Sequence, residues 1–218
     1  VELLLKFIDI MRHLDEYLDW VTQEYGTWTY AILGLVIFVE TGLVVMPFLP
    51  GDSLLFAAGA IVMRDDSGLD PLVLGAILIV CAILGDTLNY HIGQAIGPRV
   101  MTSETSRWLN KKHLERTHRF FEKYGGKTII LARFVPIVRT FAPFVAGAGA
   151  MEYRRFILFN VVGAVAWVVS MMGAGMVFGQ MEVVKKNFEL VVLGIVFVSV
   201  LPMVFEAWKA RSEGKEAA

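Results

Sequence analysis

The sequence predicts an all-α polytopic membrane protein. Three observations carry that reading. First, 56% of the 218 residues are hydrophobic and only 19% charged, with a mean hydropathy of +0.60, against roughly 45–50% and about 25% in soluble domains. Second, the apolar residues collect in long runs: residues 156–179 and 190–205 carry no charge at all. Third, two other apolar stretches are broken by proline and glycine and hold isolated ionisable residues. The expected architecture is two opposed re-entrant helical hairpins, about three spanning helices and an amphipathic N-terminal helix.

Residues 1–29 form the first unit. Leu4, Leu5, Ile8, Met11, Leu14, Leu18 and Val21 recur at helical spacing, with acids on the other faces. This pattern suits an amphipathic helix on the membrane surface or against the bundle, ended by Gly26. Six acids against Lys6 and Arg12 are the wrong sign for a signal-peptide n-region, so no cleavable leader is expected.

Residues 30–180 form the main membrane domain. Residues 30–63 are interrupted only by Glu40 and Asp52. As one helix they would measure about 51 Å, against a hydrocarbon core of ~30 Å. Pro47, Pro50 and Gly51 stop a helix in the middle. The economical solution is a re-entrant hairpin turning at Pro47–Gly51, since irregular backbone at that depth survives only inside protein or against a wet cavity.

Residues 71–98 read as a spanning helix whose second half is polar, with Asp86, Asn89 and His91. Residues 99–127 carry a net charge of +5, which the positive-inside rule places in the cytoplasm. Residues 128–151 are apolar apart from Arg133 and Arg139. Pro136 and Pro143 break the run, Gly147 follows, and a second hairpin is expected. Spanning helices over 156–179 and 188–208 come next, the latter opening a C-terminal unit of 188–218 with a polar tail. Pro47-Phe48-Leu49-Pro50-Gly51 echoes Pro143-Phe144-Val145-Ala146-Gly147. One span between the hairpins opens their mouths to opposite faces, the arrangement of inverted-repeat transporters.

An acid inside an apolar run costs several kcal/mol unless partnered, and such residues are functional by default. Glu40 and Asp52 are such acids, although Asp52 could equally be the N-cap of the second hairpin leg. Arg133 and Arg139 are their natural partners, because a guanidinium keeps its charge and its planar fork suits carboxylates and phosphates. A purely structural salt-bridge cluster is the plain alternative. It is weakened by the desolvation that offsets most of the gain in a buried pair. Asp86 and Asn89 share a helix face and either line a cavity or glue helices together.

Several functions are disfavoured. Gly51-Asp52-Ser53-Leu54 spells a hydrolase nucleophile block, but no Asp-x-x-His follows it. His113 and His118 lie five apart, off a common helix face, so no metal site is expected. Cys81 is single, so no intrachain disulfide forms. A net charge of −1 gives no reason to expect a nucleic-acid partner. Neither an enzyme activity nor a cofactor is expected.

The motifs themselves resemble a known family. Residues 40–56, Glu-Thr-Gly-Leu-Val-Val-x-Pro-Phe-Leu-Pro-Gly-Asp-Ser-Leu-Leu-Phe, resemble the first signature of the DedA family. Gly85-Asp86-x-x-Asn89-Tyr90-x-Ile92-Gly93 resembles its second, and Phe121-x-Lys123-Tyr124-Gly125-Gly126-Lys127 with Ala132-Arg133-Phe134-x-Pro136-x-x-Arg139-Thr140-Phe141-x-Pro143 its third. Asn160-x-x-Gly163-Ala164-x-x-Trp167 continues the likeness and adds Asn160 to the cavity-lining candidates. The resemblance implies a multi-pass protein of the bacterial inner membrane with two opposed hairpins. It implies movement of lipids between leaflets, undecaprenyl phosphate among them, linked to the proton-motive force. It also places the family's functional acids on Glu40 and Asp52 and its arginines on Arg133 and Arg139. The expected partners are anionic lipid head groups and protons, with a homo-oligomer open. A proton/cation exchanger and a non-transporting assembly protein remain the alternatives.

Overall fold

The computed structural model describes residues 14–43, 51–64, 66–102, 121, 124–195 and 197. Pro47 and Pro50, most of the basic segment, the start of the N-terminal helix and the end of the last expected span lie outside them. Among the described residues there are helices and turns and no strand. The helices are α1 (Leu14–Tyr25), α2 (Trp28–Gly42), α3 (Gly51–Val62), α4 (Pro71–Thr102), α5 (Thr128–Ala132), α6 (Pro136–Val145), α7 (Tyr153–Phe178) and α8 (Glu182–Lys186). A 3-10 turn, Gly125–Lys127, precedes α5, and a π turn, Ala146–Ala150, follows α6. Residues 188–195 are helical again.

α1 buries Leu18 and Thr22 and leaves Trp20 and Tyr25 exposed beside Trp28 of α2. Amphipathic rings in that position suit a membrane–water interface. Gly26, at φ 49°, closes α1, a backbone conformation that favours glycine.

Among the described residues, two helices are long and apolar enough to cross a bilayer, Pro71–Gly97 within α4 and Tyr153–Phe178, which is α7. Both expose a stripe of large aliphatic residues: Val80, Leu84 and Leu88 on α4, and Leu158, Val162, Val165 and Val169 on α7. The spacing of three and four puts each set on one helix face, and outward apolar stripes of this kind suit contact with lipid.

The helix directions follow from where glycines let backbones touch. Gly75, early in α4, faces Met172, late in α7, whereas Tyr90, later in α4, stacks on Phe156, early in α7, at 4.5 Å. α4 and α7 are therefore antiparallel. α3 runs parallel to α7. An added Cβ at Gly175 would collide with the Phe56 carbonyl, one at Gly59 with the Met172 carbonyl, and one at Gly179 with Ala60. α6 and its π turn repeat that pattern along α4: Gly93 meets the Phe144 carbonyl, Gly147 the Tyr90 carbonyl and Gly97 Ala148. Such close approach holds only with small residues at the contact.

α2 runs parallel to α4, with Gly34 on Cys81 and Gly42 on Gly85, and α5 runs parallel to α7, with Gly126 on Phe159 and Ile130 beside Gly163. Each half thus has one leg on its own long helix and a second leg on the long helix of the other half. The chain reverses direction between α2 and α3 and again between α5 and α6. The legs α2 and α3 are 15 and 12 residues, about 22 and 18 Å, short of a ~30 Å core.

The second reversal differs from expectation. It falls at residues 133–135, where backbone bonds run from Arg133 to Ile130, Phe134 to Leu131 and Val135 to Ala132. Pro136 opens α6, as suits a residue with no N–H to give. Pro143 does not turn the chain; it lies inside α6, so the carbonyl of Arg139 lacks its usual helical donor. Gly147 is likewise not at the turn but in the π segment, pressed on α4.

Among the described residues, apolar side chains gather in two clusters. One joins α1–α3, the first half of α4, the second half of α7 and residues Phe188 and Val192. The other joins Tyr90, Phe121, α5, α6 and Phe156. The charged residues lie between them.

Candidate functional site

The ends of the short helices meet at the middle of the long ones. Asp86 is the sixteenth of 32 residues in α4, and Trp167 the fifteenth of 26 in α7. Glu40 sits near the end of α2, Asp52 in the first turn of α3, Arg139 in α6 and Arg133 in the turn before it.

Glu40 is buried, and its Oε1 accepts a bond from the backbone N–H of Gly51 at 3.1 Å. Gly51 is the first residue of α3, where N–H groups have no partner inside the helix and the dipole favours an anion. One leg of the first hairpin therefore caps the other. A side chain at Gly51 would occupy the space of the Glu40 carboxylate.

Arg139 divides its fork between two acids. Its Nη2 binds Glu40 Oε1, and its Nη1 donates to Asp52 Oδ1 at 2.9 Å. The face of its guanidinium lies over the Trp167 ring, 4.5 Å from the centroid. The same Asp52 oxygen accepts the indole N–H of Trp167 at 2.7 Å. Trp167 is fully buried, so its N–H needs such a partner.

Arg133 has different partners from those expected. Its Nη2 donates to Asp86 Oδ2 and to Asn160 Oδ1, each at 2.6 Å. Asn160 in turn donates to the Ile83 carbonyl at 3.1 Å, which ties α7 to α4. Asn89 acts as glue: its amide donates to the Thr140 carbonyl at 3.0 Å and reaches the Thr41 carbonyl at 3.4 Å, joining α4 to a leg of each half. Among the described residues, Glu40 Oε2, Asn89 Oδ1 and Arg133 Nε are buried without a hydrogen-bond partner.

The structure thus brings together Glu40, Asp52, Asp86, Asn89, Arg133, Arg139 and Asn160, and adds Trp167. Two arginines face three carboxylates, rather than the two-against-two balance read from the sequence. The pairs also differ in access. The side chains of Arg133 and Asp86 are 4% and 7% exposed, those of Arg139 and Asp52 15% and 22%. Arg139 is the more open cation of the two. The sequence did carry a signal for Trp167, a residue with an N–H donor in a run without charge, but not the identity of its acceptor. Among the described residues no cluster of His, Cys, Asp and Glu could hold a metal ion.

A family model described as the VTT domain matches residues 49–177, a stretch that holds every site residue named above except Glu40. The chain is 47% identical to the protein DedA of Escherichia coli over 218 residues, the whole length of both. It is 45% identical over 189 residues to a membrane protein of Mycobacterium tuberculosis, covering 84% of this chain and 82% of the relative. It is 31% identical over 181 residues to the inner membrane protein YqjA of Escherichia coli, covering 81% and 79%. No solved structure matches it.

Proposed function

The chain belongs to the VTT-domain family of membrane proteins, the DedA family, and from that premise we propose that it is a proton-motive-force-linked lipid translocase. It moves a phosphate-headed lipid, such as undecaprenyl phosphate or a phospholipid, across the bacterial inner membrane, where it sits as a multi-pass protein. The observation that carries this reading is the fork of Arg139, held by Glu40 and Asp52 from the two legs of the other hairpin. Two carboxylates on one guanidinium occupy the bidentate geometry that a phosphate would take. Both hairpins are read as re-entrant, with their tips at the bilayer midplane.

When the site is empty, the acids neutralise Arg139. An arriving head group displaces them from the fork, with Arg133 lending charge from behind. One displaced acid then takes a proton, which ties movement of the head group to the proton gradient. The lipid tails stay in hydrocarbon, so only the head group needs a polar path. The reading involves no covalent step and no cofactor.

The test is transport of labelled undecaprenyl phosphate and of phosphatidylglycerol in vesicles of pure protein, with and without a pH gradient. The expected result is gradient-dependent movement of at least one lipid, lost in Arg139→Gln. Wild-type vesicles that move neither lipid would overturn the reading. The third carboxylate favours a second reading, in which an ion balances the excess negative charge and the protein exchanges protons for cations. Cation flux in the same vesicles without lipid movement would select it.

A further inference from the structure

We propose that the groove between α5 and α7 is the lateral seat of an anionic, phosphate-headed lipid, from which the head group reaches the buried arginines. The inference rests on the translocase reading and names where its substrate rests. The groove has a volume of about 1050 Å³, at the upper end of the ~300–1,000 Å³ usual for small-molecule sites. Its apolar wall is Ile130, Leu158, Phe159 and Val162, and Arg155 and Glu152 stand at its mouth.

Glycines shape it. Gly125 and Gly149 both line the groove, and both hold positive φ, 56° and 126°. Their turns therefore favour glycine and carry no side chain into the opening. Gly126 lets the 3-10 turn rest on the Phe159 ring.

The chemistry changes along the groove. Arg155 and Glu152 are the charged residues of the lining, and the exposed Arg154 and Lys127 adjoin the lining residues Arg155 and Gly126 in the chain. That is the composition of a membrane interface facing phosphate. Leu158 and Val162, deeper along α7, are exposed. From residue 152 to 162 the helix advances roughly 15 Å, half of a ~30 Å hydrocarbon core. Next in the chain to the lining residue Val162 comes Gly163, buried against α5. A Cβ added there would sit 3.2 Å from Arg133 Cδ and Nε and 3.3 Å from Ile130 Cα. The groove thus ends one residue away from a guanidinium whose Nε is buried with no partner among the described residues.

The corresponding seam of the other half, between α2 and α4, is packed differently among the described residues. There α2 has 15 residues against five in α5, and Gly34 and Gly42 close it onto Cys81 and Gly85. Gly125 and Gly126 of the lining belong to the end of the basic segment, so the seat serves the leaflet next to that segment.

The test uses the full chain in phosphatidylcholine nanodiscs containing a minor share of phosphatidylglycerol. A photo-crosslinking residue is placed at Leu158, or at Val169, on the same exposed face of α7 but about 16 Å further along the helix and outside the groove. Leu158 is expected to capture phosphatidylglycerol over phosphatidylcholine by about five-fold relative to their shares, the effect of ~1 kcal/mol from one arginine near a membrane surface. Val169 is expected to show no preference, and Arg155→Gln to remove the preference at Leu158. Equal capture at both positions, or a preference that survives Arg155→Gln, overturns the seat. So does its loss on adding inorganic phosphate, which would mark a site for the free anion. In vesicles, Val162→Trp, which fills the inner end, is expected to cut lipid transport by about five-fold or more; unchanged transport overturns the path while leaving the translocase intact. If the wild-type protein moves no lipid, the translocase reading fails, and capture at Leu158 still decides the seat.

Discussion

Replacing Asp86 by asparagine keeps the shape of the side chain and removes the only carboxylate hydrogen-bonded to Arg133 among the described residues. Arg133 and Asp86 are 2.6 Å apart and almost sealed from solvent. Breaking a pair of this kind from one side costs about 3–5 kcal/mol, because the surviving charge stays buried. At roughly 2–4 °C of melting temperature per kcal/mol for a chain of this size, Asp86→Asn is expected to lower Tm by about 6–20 °C. Arg133→Gln is expected to do the same, since it orphans Asp86. The double variant removes both charges at once. Its loss is expected to fall short of the sum of the singles by about 1–3 kcal/mol. Asp19→Asn provides the comparison. Its partner Arg64 and Asp19 itself are solvent-accessible, so it is expected to cost at most ~1 kcal/mol and to add simply to Asp86→Asn. The assay is thermal unfolding of purified protein in one detergent, with all five variants measured together. Simple additivity of Asp86→Asn and Arg133→Gln would refute the pairing, and with it the assignment of Arg133 to the sealed side of the site.

Three further outcomes are expected. Arg139→Lys keeps a charge but cannot span Glu40 and Asp52 as a fork, so the protein should insert normally while transport falls by about ten-fold or more, the worth of one charge-assisted hydrogen bond; near-normal transport would show that a point charge suffices. Trp167→Phe keeps a ring face for Arg139 and loses the N–H to Asp52, so it should retain more activity than Trp167→Leu, which loses both. On an Asp52→Ala background, which removes the acceptor, the Phe and Trp forms should bind lipid alike, and a further drop there would mean that the indole N–H serves another partner. On a Cys81→Ala background, an impermeant thiol reagent added outside cells should label Asp66→Cys and spare Tyr124→Cys; the reverse pattern would invert the orientation drawn from the basic segment.

Where the chain is helical and where it stops were largely legible in the sequence, because hydropathy and the missing N–H of proline act locally. The reversal between α2 and α3, the long helices α4 and α7 and the isolated charges could all be read in this way. Pro143 shows the limit. The residue type expected to break a helix sits inside α6 here, because lost helical bonds can be offset by neighbouring helices and by the π turn that follows. The pairing of the charges was beyond local reading. Glu40 and Arg139 are 99 residues apart, Asp86 and Arg133 47, and any acid in an apolar run is an equally good partner on paper. What selected among them is backbone approach: glycines at 59, 93, 147 and 175 let each second leg press on the opposite long helix. That packing sets the depth of each tip, and depth decides which carboxylate lies within reach of which guanidinium. The sequence by itself determined that buried charges must find partners; the tertiary structure decided that Arg139 would hold two of the acids, that Arg133 would be sealed against the third, and that Trp167 would stand between them.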